Sequence, residues 1–149
     1  MKTEKRETIN HLLSVLKNLI LFSIGGGIYN LVEIIYRGNT HWTMFIVGGL
    51  CFLCIGWINE FLPWSLALWK QMLIGGTIIT VIEFVSGCII NLWLGWNVWD
   101  YSHVPLNILG QVCLPFYFAW VGLSLVGIVL DDIIRWLCFG EEKPRYKIF

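Results

Sequence analysis

The feature that most constrains this chain is a set of long stretches without Asp, Glu, Lys or Arg. A helix needs about 20 mostly apolar residues to cross the hydrocarbon core of a bilayer. Four stretches reach that length or come close to it: residues 18–32, 42–59, 71–99 and 101–130. Glu83, in the third stretch, is the one charged residue among them. They predict four membrane crossings, at about residues 12–36, 42–62, 68–91 and 107–131.

The class of fold follows from the same stretches together with the composition. Hydrophobic residues make up 57% of the chain and charged residues only 13%, and nine residues are tryptophan, a balance that favours a membrane protein. The apolar runs are continuous and do not alternate, which favours helices over a β-barrel. We therefore predict an all-α integral membrane protein with four transmembrane helices, forming a single membrane domain over residues 1–149.

The distribution of basic residues predicts the orientation. Lys and Arg concentrate before the first span, in the second connection and after the fourth span, whereas Arg37 is the one such residue in the first and third connections. By the positive-inside rule both termini should be cytoplasmic, with residues 136–149 as a cytoplasmic tail. The Trp-rich segment 92–106 suits an aromatic loop at the outer interface. A net charge of zero argues against nucleic acid as a partner.

The first and third spans share a weak internal sequence similarity. Ile24-Gly25-Gly26 precedes Glu33 just as Ile74-Gly75-Gly76 precedes Glu83. One interpretation is a parallel repeat of two hairpins, in which paired glycines let the first and third helices touch. The other interpretation is chance similarity.

The ionisable residues near the outer ends of the spans need partners, because each costs at least ~2.5–3.5 kcal/mol inside a bilayer. Glu33 and Arg37 are spaced for a helical ion pair, and Gly38 is expected to end the helix before His41. Glu83 has no basic neighbour in sequence, so it must find Arg37 or a histidine across the bundle, or remain protonated. The candidate polar cluster, which could bind a polar ligand or relay protons, is Glu33, Arg37, His41, Glu83, Asp100, Tyr101 and His103.

At the opposite end of the fourth span, Asp131 and Arg135 are spaced for an ion pair that fixes the helix end. The chain has no phosphate-binding loop, no recognised catalytic motif and no Cys/His metal spacing. We therefore predict no cofactor and no metal, leave the catalytic residues unassigned, and favour a non-enzymatic role. The five cysteines are interpreted as small hydrophobic residues of the spans.

Three segments resemble one known family. Arg37–Glu60 contains Arg-Gly-x-x-His-Trp, Glu83–Phe116 contains Trp-Asp-Tyr-Ser, and Leu130–Arg135 reads LDDIIR. Together they resemble the CmpB-type family called putative ABC-transporter type IV. The resemblance implies a small bacterial plasma-membrane protein that serves as a permease component and works with a separate ATPase subunit.

Three functions follow as hypotheses. The first is transport through a bundle with a polar site in the outer half of the bilayer, in a homo-oligomer because four helices enclose little space alone. The second is a membrane-embedded enzyme or lipid-binding protein that acts on a head group at the outer interface. The third is a structural or regulatory membrane subunit whose charges hold helices together.

Overall fold

Four long helices dominate the structure. The computed structural model describes residues 2–149, and their side chains from Arg6 onward. The elements in chain order are α1 (Lys2–Arg37), α2 (Trp42–Gly56), the short α3 (Ile58–Phe61), α4 (Leu68–Gly87) with a π-helical continuation (Cys88–Trp93), β1 (Asn107–Ile108), β2 (Val112–Cys113) and α5 (Leu114–Phe139). With α3 extending α2 and the π-helical turn extending α4, four helices are long and apolar enough to cross a membrane, which confirms the four predicted crossings.

The start of the fourth helix differs most from the sequence-based expectation. The predicted span began at residue 107, but residues 107–113 form a two-stranded antiparallel hairpin and α5 begins at Leu114. Leu109 and Gly110 take positive φ angles of 52° and 68° at its turn, a backbone conformation that a helix does not contain. Pro115 lies in the first turn of α5, where a missing N–H costs nothing. At its other end α5 continues to Phe139, eight residues beyond the predicted 131.

The paired glycines bring helices together within each hairpin. A Cβ on Gly25 or Gly26 would collide with Phe52 or Phe45 of α2. The equivalent Gly75 and Gly76 face Ser124 and Val121 of α5. The expectation that the glycine pairs would join the first helix to the third is therefore wrong. Each pair instead lets a helix approach its own antiparallel partner, α1 with α2 and α4 with α5.

Helix α2 is the centre of the bundle. It packs extensively against α1 and also contacts both α4 and α5. Its buried face includes Met44, Val47, Cys51 and Ile55, which belong to the main apolar core. Within the described residues, no comparably extensive packing joins α1 to α4 or α5. A groove therefore separates α1 from α5, with α2 as its floor.

The bundle has two polar ends. At one, the tail end, Asn59 Nδ2 donates to Asp132 Oδ2 at 2.7 Å, Lys17 pairs with Glu141, and the backbone N–H of Leu68 donates to the carbonyl of Lys147 at 2.7 Å. At the other, the loop end, residues 94–106 cover the ends of α1 and α5 between the π-helical turn and β1.

Close packing at Gly76 predicts a large effect from the smallest possible side chain. A Cβ there would lie 2.9 Å from both the backbone nitrogen and the Cα of Val121, atoms that cannot rotate away. We expect Gly76→Ala to lower the free energy of unfolding in detergent micelles by about 1–3 kcal/mol. Gly122→Ala on the facing helix meets nothing within 4 Å and should stay within about 0.5 kcal/mol of the wild type. Equal stability of the two variants would contradict this packing.

A polar cavity between α1 and α5

A cavity of about 550 Å³ lies at the loop end between α1 and α5. One stripe of α1 and one stripe of α5 form its two walls, and residues 99–104 of the loop cover it. The wall residues are Tyr29, Val32, Glu33, Tyr36 and Arg37 on α1, and Phe116, Ala119, Trp120 and Leu123 on α5. Positions three and four apart share a helix face, which is how both helices turn one row of side chains towards the same space.

Arg37 ties the end of α1 to the covering loop. Its Nη1 donates to Glu33 Oε1 at 2.8 Å, and its Nη2 donates to the backbone carbonyl of Val98 at 2.6 Å. The second oxygen of Glu33 accepts from the Thr40 hydroxyl at 2.7 Å. Gly38, with φ of 76°, ends α1 directly after Arg37 and lets the chain turn back. The carboxylate of Glu33 is thus fully engaged, and it is 7% exposed.

Glu83 is buried behind the cavity and is held by two neutral donors. Trp120 Nε1 donates to its Oε2 at 2.8 Å, and the Tyr101 hydroxyl donates to its Oε1 at 3.2 Å. Of the two predicted alternatives, the basic partner is not found, because neither Arg37 nor a histidine is bonded to Glu83 among the described residues, and the neutral carboxyl stays a prediction. Both donors belong to residues that line the cavity, so Glu83 helps to hold these two rings in position at its wall.

Two buried amides hold the covering loop in place. Asn91, carried by the π-helical turn, accepts from the backbone N–H of Val98 at 2.7 Å and donates to Gln111 Oε1 at 2.8 Å. The indole of Trp99 donates to the backbone carbonyl of Gln111 at 3.0 Å. Each of these contacts satisfies a buried polar group. The loop is therefore positioned by hydrogen bonds on both sides of Val98, the residue that receives Arg37.

Asp100 and Tyr101 follow in the same loop and have opposite pKa shifts. The backbone N–H and the hydroxyl of Ser102 bind the two carboxylate oxygens of Asp100 at 2.8 and 2.9 Å. The backbone contact, followed by the hydroxyl, lowers the pKa of Asp100, with a smaller effect from His103. Burial, and then the negative charge of Glu83, raise the pKa of Tyr101 well above its usual value. Asp100 is an anion and Tyr101 a neutral donor at physiological pH.

The remaining predicted residues divide between the two ends of the bundle. His103 lines the cavity. His41 lies outside its lining, caps α2 through Nδ1 and stacks near Trp96 with ring centroids 5.7 Å apart. Asp131 and Arg135 lie at the tail end, where Arg135 Nε donates to Asp131 Oδ2 at 2.5 Å inside α5. The structure thus gathers five of the seven cluster residues around one cavity, places Glu83 behind it and leaves His41 apart.

A second, smaller cavity of about 100 Å³ continues the groove towards the middle of the bundle. It shares Tyr29, Val32, Trp120 and Leu123 with the first cavity, and the ring centroids of Tyr29 and Trp120 are 6.0 Å apart where the two meet. Its other walls are apolar side chains and two glycines: Gly25, Ile28, Gly48, Cys51, Phe52, Ile55 and Ile79. The groove is therefore mostly apolar, with its charged and hydrogen-bonding side chains confined to the loop end.

The arrangement is suited to binding a molecule more than to acid–base chemistry. Both oxygens of Glu33, of Glu83 and of Asp100 already accept hydrogen bonds from protein donors. Within the part of the chain that the structure describes, no three His, Cys, Asp or Glu side chains come together as a metal site requires.

Two residues that build this site, Trp120 and Thr40, were not predicted from the sequence. A weak signal existed for Trp120, because a buried indole N–H needs an acceptor and Glu83 needed a donor. No pattern in the sequence indicated Thr40 as a partner of Glu33.

Four membrane-length helices and a mostly apolar groove with polar groups at one end define a small multi-pass helical membrane protein. The chain belongs to the family described as Putative ABC-transporter type IV, whose profile matches residues 20–139. The family resemblance found in the sequence is thereby confirmed, and with it the coarse assignment to a membrane-associated transporter context. No solved structure matches the chain.

Removing the acceptor behind the cavity should destabilise the protein in proportion to the donors left unpaired. Glu83→Leu strands the indole N–H of Trp120 and the hydroxyl of Tyr101, and we expect it to cost about 1–3 kcal/mol of unfolding free energy in detergent. Glu83→Gln retains one acceptor oxygen and should cost less. Val81→Leu, at an exposed position of the same helix, serves as the control. A Glu83→Leu protein as stable as this control would show that the two hydrogen bonds contribute nothing.

Proposed function

We propose that this protein is the membrane subunit of a transporter and that it binds an amphiphilic molecule in the groove between α1 and α5. The observation that supports the proposal most directly is the confinement of charged and hydrogen-bonding side chains to the loop end of one continuous, mostly apolar groove. The head of the amphiphile would occupy the cavity at the loop end, and its chain would follow the apolar part.

The larger cavity has the size and lining of a site for a head group. Its volume of about 550 Å³ falls within the roughly 300–1,000 Å³ typical of small-molecule pockets, which are mostly apolar with a few fixed polar groups. Here aromatic rings supply most of the lining, and Arg37, Asp100 and His103 supply the polar groups.

The chain of the amphiphile has a path out of the bundle. Val32 and Leu123, which face each other across both cavities, are 41% and 42% exposed, so the groove opens sideways between them. Below them, the smaller cavity is lined by apolar side chains and by Gly25 and Gly48. A hydrocarbon chain could therefore lie partly against protein and partly against lipid, and enter without crossing a polar barrier.

The proposal includes the orientation of the protein in the membrane and the membrane in which it lies. Lys17, Lys70 and Arg135 belong to the tail end, and Arg37 lies at the loop end. The positive-inside rule then makes the tail end cytoplasmic, so both termini are cytoplasmic and the cavity is in the outer leaflet of a bacterial plasma membrane.

A transport role requires partners that this chain does not supply. It has no phosphate-binding loop, and the family name implies an ABC-type system, so a separate ATPase subunit would bind at the tail end. A homo-oligomer would complete the enclosure of the amphiphile.

The equivalent packing of Gly25–Gly26 and Gly75–Gly76 within their own hairpins supports a parallel repeat of two hairpins.

Filling the groove should abolish amphiphile binding without unfolding the bundle. Ala119 lines the larger cavity on α5, and Ala119→Trp would place an indole where the head group lies. We expect the protein purified in mild detergent to carry a long-chain amphiphile, detected by mass spectrometry, and the variant to lose it. Val126→Trp, at a 60% exposed position of the same helix, should retain it. Equal retention by both variants would place the amphiphile elsewhere on the protein.

An ATPase partner should be recoverable with the chain. We expect affinity purification from its native membranes in mild detergent to enrich an ATPase subunit, relative to an unrelated four-span protein carrying the same tag. Repeated purification without any ATPase would refute the ABC-type role and leave amphiphile binding to be judged separately.

A further inference from the structure

We infer that the larger cavity selects a phosphate-bearing head group and that Arg37 is the residue that binds it. The inference rests on the proposed function, because it specifies the ligand of the same groove. It is drawn from the hydrogen-bonding capacity that remains open towards the cavity.

The two acidic side chains of the helices, Glu33 and Glu83, present little surface to the cavity. They are 7% and 3% exposed, and each of their oxygens accepts a hydrogen bond from Arg37, Thr40, Tyr101 or Trp120. These contacts hold the walls together. A cationic head group would therefore meet little carboxylate surface on the helices.

Arg37 has donors to spare. A guanidinium carries five N–H groups, and within the described residues two of them are used, one for Glu33 and one for the carbonyl of Val98. The side chain is 33% exposed, against 9% for that of Glu33. Its two existing bonds hold the guanidinium plane in a fixed position at the cavity wall. A fixed guanidinium with free N–H groups matches the oxygens of a phosphate in a fork-like geometry.

The other polar groups of the lining are one possible donor and one carboxylate. His103 has a ring nitrogen that can donate to an anion in the cavity. The indole N–H groups of Trp99 and Trp120 are already bound by Gln111 and Glu83. Asp100 is the one exposed carboxylate of the lining, and both of its oxygens are bound by Ser102.

The test compares head groups on one chain length. Full-length protein in micelles of an uncharged polyoxyethylene detergent is titrated with dodecyl phosphate, dodecyltrimethylammonium and an uncharged dodecyl glycoside, and binding is followed by intrinsic tryptophan fluorescence. Inorganic phosphate is titrated separately. We expect dodecyl phosphate to bind at least about tenfold more tightly than either other amphiphile, and inorganic phosphate to bind far more weakly because it gains nothing from the apolar part of the groove.

Variants assign the selectivity to Arg37. Arg37→Gln should remove the preference for dodecyl phosphate, and Arg37→Lys should restore little of it because an ammonium lacks the fork of donors. Arg145→Gln, which removes an exposed guanidinium at the tail end and away from the cavity, should leave the preference intact. Circular dichroism verifies that each variant is folded, and the comparison of head groups on the wild type does not depend on any variant.

The outcomes separate the inference from the proposed function. Tighter binding of the ammonium amphiphile, or equal binding of all three, would overturn the phosphate assignment and leave the groove as an amphiphile site. Binding of no amphiphile would overturn both. If inorganic phosphate bound as tightly as dodecyl phosphate, the site would still be a phosphate site. Its ligand would then be free phosphate, which contradicts the amphiphile proposal.

Discussion

The groove exists because α1 and α5 each pack against α2, with no comparable packing between them in the described residues. Gly25 and Gly26 bring α1 against α2, and Gly76 brings α4 against the backbone of α5. In lipid the hydrophobic effect does not drive helices together, so close packing of this kind stabilises their association. Helix α2 then joins the two pairs. Because α2 occupies the middle, α1 cannot also pack along α5. The space between those two helices is a consequence of the packing that stabilises the rest.

Polar side chains close the groove at the loop end. The guanidinium of Arg37 bridges α1 to the loop at Val98, and Glu83 reaches from α4 to Tyr101 and Trp120. In a medium of low polarity an unpaired group is costly, so these contacts are expected to persist once formed. The rim of the larger cavity is therefore held by hydrogen bonds, whereas the lower groove is bounded by apolar side chains.

The number of helices, the family and five of the residues that line the larger cavity could be predicted from the sequence, because these depend on local composition. Charge-free length predicted the four crossings, and four-residue spacing predicted that Glu33 and Arg37 would share a helix face. Partners that meet across the bundle were not predictable in this way. Glu83 binds Trp120, which is 37 positions away in the sequence. The glycine pairs of α1 and α4 pack against α2 and α5, respectively. The hairpin before α5 was missed because residues 107–113 are as uncharged as a span, and their turn depends on positive φ angles at Leu109 and Gly110.

The central claim, that an amphiphile occupies the groove between α1 and α5, is tested most directly by an experimental density map of the protein in a lipid nanodisc. The account predicts an elongated density between Val32 and Leu123, with its polar end within hydrogen-bonding distance of the Arg37 guanidinium. A map in which α1 packs directly along α5 and leaves no space between Tyr29 and Ala119 would contradict it.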